Sequence, residues 1–129
     1  MKIEGHHRKW DAQDEDTLER VLELRDDVGG ALFWLTHDGD GYPALTIRIS
    51  GDMADVHYFP GEGHPGFRAL AESPARNGQA SIFVYDGCDP MAGEETPSEF
   101  VLHASTAMNL AKDFYRNRTR SSFVSWFEL

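Results

Sequence analysis

Three apolar runs follow one another with almost nothing between them, and this constrains the fold more than any other feature. They are Ala31-Leu-Phe-Trp-Leu-Thr36, Pro43-Ala-Leu-Thr-Ile-Arg-Ile49 and Ala54-Asp-Val-His-Tyr-Phe59. The first is apolar at nearly every position, as expected of a central strand. In the second, Leu45, Ile47 and Ile49 alternate with Thr46 and Arg48, the period of a half-buried strand. In the third, Val56 and Tyr58 point opposite to His57 and Phe59. The connections are turns, Asp38-Gly-Asp-Gly41 and Gly51-Asp52. A parallel pairing needs a crossover of a dozen residues or more, and these gaps hold none. The three runs therefore predict an antiparallel meander.

The remaining elements are placed around it. Leu18, Val21 and Leu22 share a face and predict a first helix over about Thr17–Asp27, with Leu24 and Val28 widening its apolar side. Asp16 is the expected N-cap and Glu19 completes a capping box; Gly29-Gly30 ends the helix. Residues 67–72 read as a short helical turn stopped near Ser73-Pro74. A fourth strand is expected at Gln79–Tyr85 and a short strand at Glu99–His103. Ala107, Leu110, Ala111 and Phe114 then recur at helical spacing. They predict a second helix capped by Ser105 or Thr106 and ending near Asn117. Arg116, Arg118 and Arg120 sit where cations suit a helix C-terminus. Phe123–Phe127 reads as a last strand. The fold class is α+β: an antiparallel sheet of four to six strands with two main helices packed on it. Residues 1–15 read as an N-terminal extension in which Trp10 docks and the rest frays; residues 16–129 form one domain.

Composition narrows the function. The chain of 129 residues is 40% hydrophobic and 26% charged, ordinary for a globular domain. Twenty-two acids against 12 bases give a net charge of −10. That sign disfavours nucleic acid as a partner and favours a basic protein. Cys88 is the single cysteine, so no internal disulfide forms. No run approaches the roughly 20 apolar residues of a membrane span. The opening MKIEGHHRKWDAQDED lacks the apolar core of a secretory signal. The expected location is the cytoplasm, with a reduced thiol and no membrane partner.

Catalytic and cofactor signatures are weak. Asp38-Gly-Asp-Gly41 lacks the further oxygen ligands of a calcium loop. Pro60-Gly-Glu-Gly-His-Pro-Gly66 lacks the Lys-Ser/Thr ending of a phosphate loop, and Glu62 would repel a phosphate. Cys88 sits in an acidic loop that disfavours a thiolate. His6, His7, His37, His57, His64 and His103 show no paired ligand spacing on one helix. The expectation is no metal, no cofactor and no catalytic residue. A histidine–carboxylate site around His57, His64 and Glu62 is the enzymatic alternative; a chaperone or adaptor for a secreted effector is a second alternative. The acids themselves concentrate at 11–27, with eight acids and two bases, and at 86–99, with five acids and no base. Asp86, Asp89, Glu94, Glu95 and Glu99 lie in the second stretch, a loop, and are the candidate partner-binding residues.

The order of motifs resembles bacterial immunity proteins of polymorphic-toxin systems, of the type called immunity family one. One stretch runs from Gly29-Gly-Ala-Leu-Phe-Trp34 through Pro43–Asp52 to His57-Tyr-Phe-Pro60. The other runs from Phe100-Val-Leu through the helix Ala104–Tyr115 and the turn Arg116-Asn-Arg-Thr-Arg120 to Val124-Ser-Trp126. The resemblance implies a protein that binds a cognate toxin, a nucleic-acid-directed deaminase or nuclease, and occludes its active site. Enzymes that grip nucleic acid are basic around their sites. An acidic loop is then expected to fill the groove meant for phosphate.

Overall fold

The computed structural model describes residues 1–5, 8–37, 41–72, 81–83 and 94–129, with the backbone alone for 81–83 and 94. Asp38, Gly39 and Asp40 of the turn expected at Asp38–Gly41, together with His6, His7, the stop at Ser73-Pro74, Tyr85 and Cys88, lie outside these residues.

The chain order is β1 (Lys2–Glu4), β2 (Lys9–Asp11), α1 (Glu15–Leu22), β3 (Gly30–Thr36), β4 (Ala44–Ser50), β5 (Met53–Phe59), β6 (Phe67–Ala69), β7 (Ser81–Phe83), β8 (Glu94–Thr96), a 3-10 turn (Ser98–Phe100), β9 (Leu102–His103), α2 (Ala104–Asn117) and β10 (Trp126–Glu128). Eight strands form the main sheet in the order β10-β6-β5-β4-β3-β1-β2, with β9 pairing the start of β5; β7 and β8 form a separate pair. All pairings among these strands are antiparallel. The architecture is the expected α+β one, an antiparallel sheet with two helices. The sheet is wider than four to six strands because β1, β2, β6, β9 and β10 add short segments at the margins of the meander.

The meander forms where the three apolar runs predict it. β3 and β4 pair over their full length from Gly30↔Ser50 to Thr36↔Ala44, and β4 and β5 from Ala44↔Phe59 to Ser50↔Met53. The two-residue link Gly51-Asp52 puts positive φ (60°) on its first residue, the position that a type II′ hairpin reserves for glycine. Alternation then sorts side chains by face. Phe33, Leu35, Leu45, Ile47, Ile49, Val56 and Tyr58 are buried on one side. Both helices cover that side: α2 lies on β4, β5 and β9, and α1 packs on α2. Ala107, Leu110, Ala111 and Phe114 of α2 are buried, as their spacing predicts. Leu18, Val21 and Leu22 of α1 join the same core.

Several local expectations are corrected. α1 starts two residues early, with Asp14, not Asp16, as its N-cap: the Asp14 carboxylate accepts from the Thr17 amide at 2.7 Å. It also ends at Leu22. The Arg25 guanidinium donates to the carbonyls of Leu22 (2.5 Å) and Leu24 (2.8 Å), and Asp26 Oδ1 accepts from the amides of Val28 and Gly30. These side-chain bonds compete with further helix, so Leu24 and Val28 are exposed and do not widen the core face. Residues 67–69 are strand, not a helical turn, because β5 and β10 both offer backbone partners there. α2 is capped by His103, whose ring accepts from the Ser105 amide. The last strand is Trp126–Glu128, which leaves Phe123 outside it.

The first residues also pack more than their sequence suggests. β1 pairs with β3 and β2 pairs with β1. Ile3 and Ala12 are fully buried, and Trp10 meets Phe33 edge-on at 6.3 Å between ring centres.

Candidate functional site

The acidic stretch 94–99 is half of a two-sided ribbon. Its residues from Glu95 to Phe100 alternate strictly: Thr96, Ser98 and Phe100 are buried, and Glu95, Pro97 and Glu99 are exposed. Three anchors fix it. β8 pairs with β7, Glu95 opposite Ile82. The Ala71 amide donates to the Glu99 carbonyl at 2.7 Å. The Phe100 ring lies under the Arg68 guanidinium, 4.1 Å away, and against Phe127. Glu95 on β8 and Glu99 in the 3-10 turn, each beside residues pinned inward, are exposed to solvent. Neither forms an ion pair among the described residues. Glu94 is on β8, with its side chain outside the described residues; Asp86 and Asp89 lie outside them altogether.

The other acidic stretch behaves differently. Asp11 pairs with Lys2 at 3.0 Å, Glu19 with Lys112 at 3.4 Å, and Glu15 grips the Arg116 guanidinium with both oxygens. Asp14 and Asp26 cap turns of backbone. These partners leave their mark on the acidities. The Arg116 hydrogen bond lowers the Glu15 pKa, the Lys2 hydrogen bond lowers that of Asp11, and the Thr17 amide lowers that of Asp14. Five of the eight acids at 11–27 thus serve the fold, so the clustering of charge there has an internal explanation.

On the sheet face away from the helices lies a buried ionic cluster. Asp55, with no exposed side-chain surface, accepts from Arg48 across β4 and from Arg68 on β6 at 2.8 Å. Trp34, Phe59 and His57 stack beside it, with ring centres 5.5 and 6.0 Å apart. Two guanidiniums on one carboxylate make it a countercharge rather than a base. His57 Nδ1 is 3.7 Å from Asp55 Oδ1, beyond hydrogen-bonding range.

The histidine–carboxylate alternative divides between two places. His64 turns to the C-terminal strand. Its Nε2 meets Glu128 at 2.9 Å, its Nδ1 accepts from the Gly66 amide at 2.8 Å, and its ring stacks on Phe67. Both ring nitrogens of His64 are therefore engaged within the fold. His57 instead faces Asp55 and Phe59. His37 Nε2 meets the Phe114 carbonyl at 3.0 Å in the core, and His103 caps α2. Among the described residues no three histidine, cysteine or acidic side chains gather as a metal site would need.

One groove of about 370 Å³ opens between the end of β6, β9, α2 and residues 123–124. Leu102, Leu110, Val124, Thr106 and Asn109 line it, together with the exposed Glu72, His103 and Phe123. Phe123 is 77% exposed, more than any other large apolar side chain described. Reading Phe123 as the start of a strand hid this; its neighbours Ser121 and Ser122 were the available sign of a polar turn. Set against known protein families and against curated proteins, the chain matches none of either.

Proposed function

We propose that the chain is an immunity-type protein, which binds a basic, nucleic-acid-directed toxin domain in the cytoplasm of the producing cell and covers its active site. The observation that carries this reading is the anchored ribbon at 95–100, which holds Glu95 and Glu99 outward while their neighbours are buried. The backbone beneath each carboxylate is already anchored, so only side-chain rotamers remain to be ordered when a cation meets it. The net charge of −10 supplies the long-range attraction that speeds encounter with a basic surface. The order of motifs from Gly29 to Trp126 supports the same reading by resemblance. No helix among the described residues is long and apolar enough to cross a membrane.

The test is a five-site variant, Asp86→Asn, Asp89→Asn, Glu94→Gln, Glu95→Gln and Glu99→Gln, titrated with the toxin encoded by the adjacent gene. The variant is expected to bind more weakly and with a flatter salt dependence, because screening acts on fewer charges. Unchanged affinity at every salt concentration would remove the acidic ribbon from the interface.

A further inference from the structure

We infer that the groove walled by Phe123 is the receptor for one arginine or lysine side chain of the protein partner, with the aliphatic stem on Leu102, Leu110 and Val124 and the cation between the Phe123 ring and Glu72. The inference rests on the reading of the chain as a binder of a basic protein and gives that interface a centre. Three observations carry it. First, Phe123 is presented by a fixed turn. Ser121 Oγ donates to Asp113 at 2.5 Å and accepts from the Phe123 amide at 3.1 Å, while the Trp126 indole N–H donates to the Ser121 carbonyl at 2.8 Å. An exposed aromatic on a pre-ordered turn has the character of an interface anchor. Second, the rim charge is complementary to a cation. Glu72 is exposed at the groove, and His103 Nδ1 is taken up by the Ser105 amide as the α2 cap. The ribbon that presents Glu99 is bonded to the same wall through Ala71. Third, apolar Leu102, Leu110 and Val124 beside Glu72, the single carboxylate among the described lining residues, suit a long cationic side chain, whose stem is apolar and whose head is charged. Arginines already lie over phenyl rings among the described residues, with Arg68 over Phe100 at 4.1 Å and Arg120 over Phe67 at 3.8 Å. A cation over a phenyl face is attracted by the ring quadrupole.

The test needs no toxin. The full chain is titrated with the capped peptide acetyl-Gly-Arg-Gly-amide, and with its glutamate counterpart, while backbone amide shifts are followed by NMR at low salt. The arginine peptide is expected to give saturable shifts at residues 71–72, 102–103, 106–110 and 123–124, with a Kd on the order of 10 mM. Glu72→Gln and Phe123→Ala, both at exposed positions, are each expected to weaken it about two- to fivefold. Glu23→Gln on the far side of α1 should leave it unchanged. Three results would each overturn the inference: no saturable shift at these amides, equal binding of the glutamate peptide, or variants that bind like the parent. If the inference is overturned yet a toxin complex still forms, the groove is excluded and the immunity reading stands.

Discussion

Asp55 shows how a single residue can fix a sheet. It sits opposite Arg48 in the register of β4 and β5, and Arg68 reaches it from β6, so one carboxylate ties three strands. Removing its charge leaves two guanidiniums on a neutral amide in a nearly dry place. Asp55→Asn is expected to cost about 3–5 kcal/mol in urea unfolding, the usual penalty for breaking one side of a buried ionic group. A loss under about 1 kcal/mol would show that water reaches the cluster freely. Asp11, Asp14 and Glu15 act at the surface and by pH. Their folded pKa values are lowered below the ordinary carboxylate range. Each therefore stabilises the fold above its unfolded pKa, near 4, and that contribution is lost as pH falls below about 4 through the lower folded values. Glu15→Gln lacks the Arg116 pair that stabilises the parent above pH ~4, so its acid unfolding followed by circular dichroism should set in at a higher pH than the parent's. Residues of this kind were only partly legible in sequence. Leu45, Ile47 and Ile49 announce their face by alternation. Nothing local tells that Asp55 is buried, because its partners lie on other strands.

At the scale of elements, long periodic segments were legible and short ones were not. β3, β4, β5 and α2 carry enough periodic residues to declare their type, and the structure places them within a residue or two of expectation. β1, β2, β6 and β10 have three residues each, too few for a period, and exist because a neighbouring backbone satisfies them. Local preference misleads there: Phe67-Arg-Ala reads as helical turn until β10 is brought beside it. The N-terminal hairpin follows the same logic. Ile3 and Ala12 are buried, and β1 protects the edge of β3. Deleting residues 1–12 is expected to lower stability by several kcal/mol, since each large buried apolar side chain contributes about 1.5–3 kcal/mol. An unchanged urea midpoint would make the hairpin an ornament. Gly66 is a second element-scale constraint. Its φ is +100°, and an added Cβ would lie 2.9 Å from the Phe59 ring. Gly66→Ala is expected to lower the melting temperature by disturbing the entry into β6.

At the scale of the whole molecule, the charge divides by use. The acids of 11–27 are largely consumed by Lys2, Lys112, Arg116 and backbone amides, whereas Glu95 and Glu99 are held outward by a ribbon whose alternate residues are buried. Sequence could count both acidic stretches but could not tell them apart, since the difference lies in bases on other elements, Lys2 on β1 and Lys112 and Arg116 on α2. The candidate site was thus half legible. Glu95 and Glu99 were selected by composition, and the groove beside Phe123 arises only when β6, β9, α2 and the 121–126 turn come together. The most direct test of the binding account is co-expression with the protein encoded by the adjacent gene. The account predicts that cells survive a neighbour that otherwise kills them, and that the two proteins co-purify as a complex that weakens with added salt. A neighbour that is harmless alone, or that kills regardless and does not bind, would contradict it.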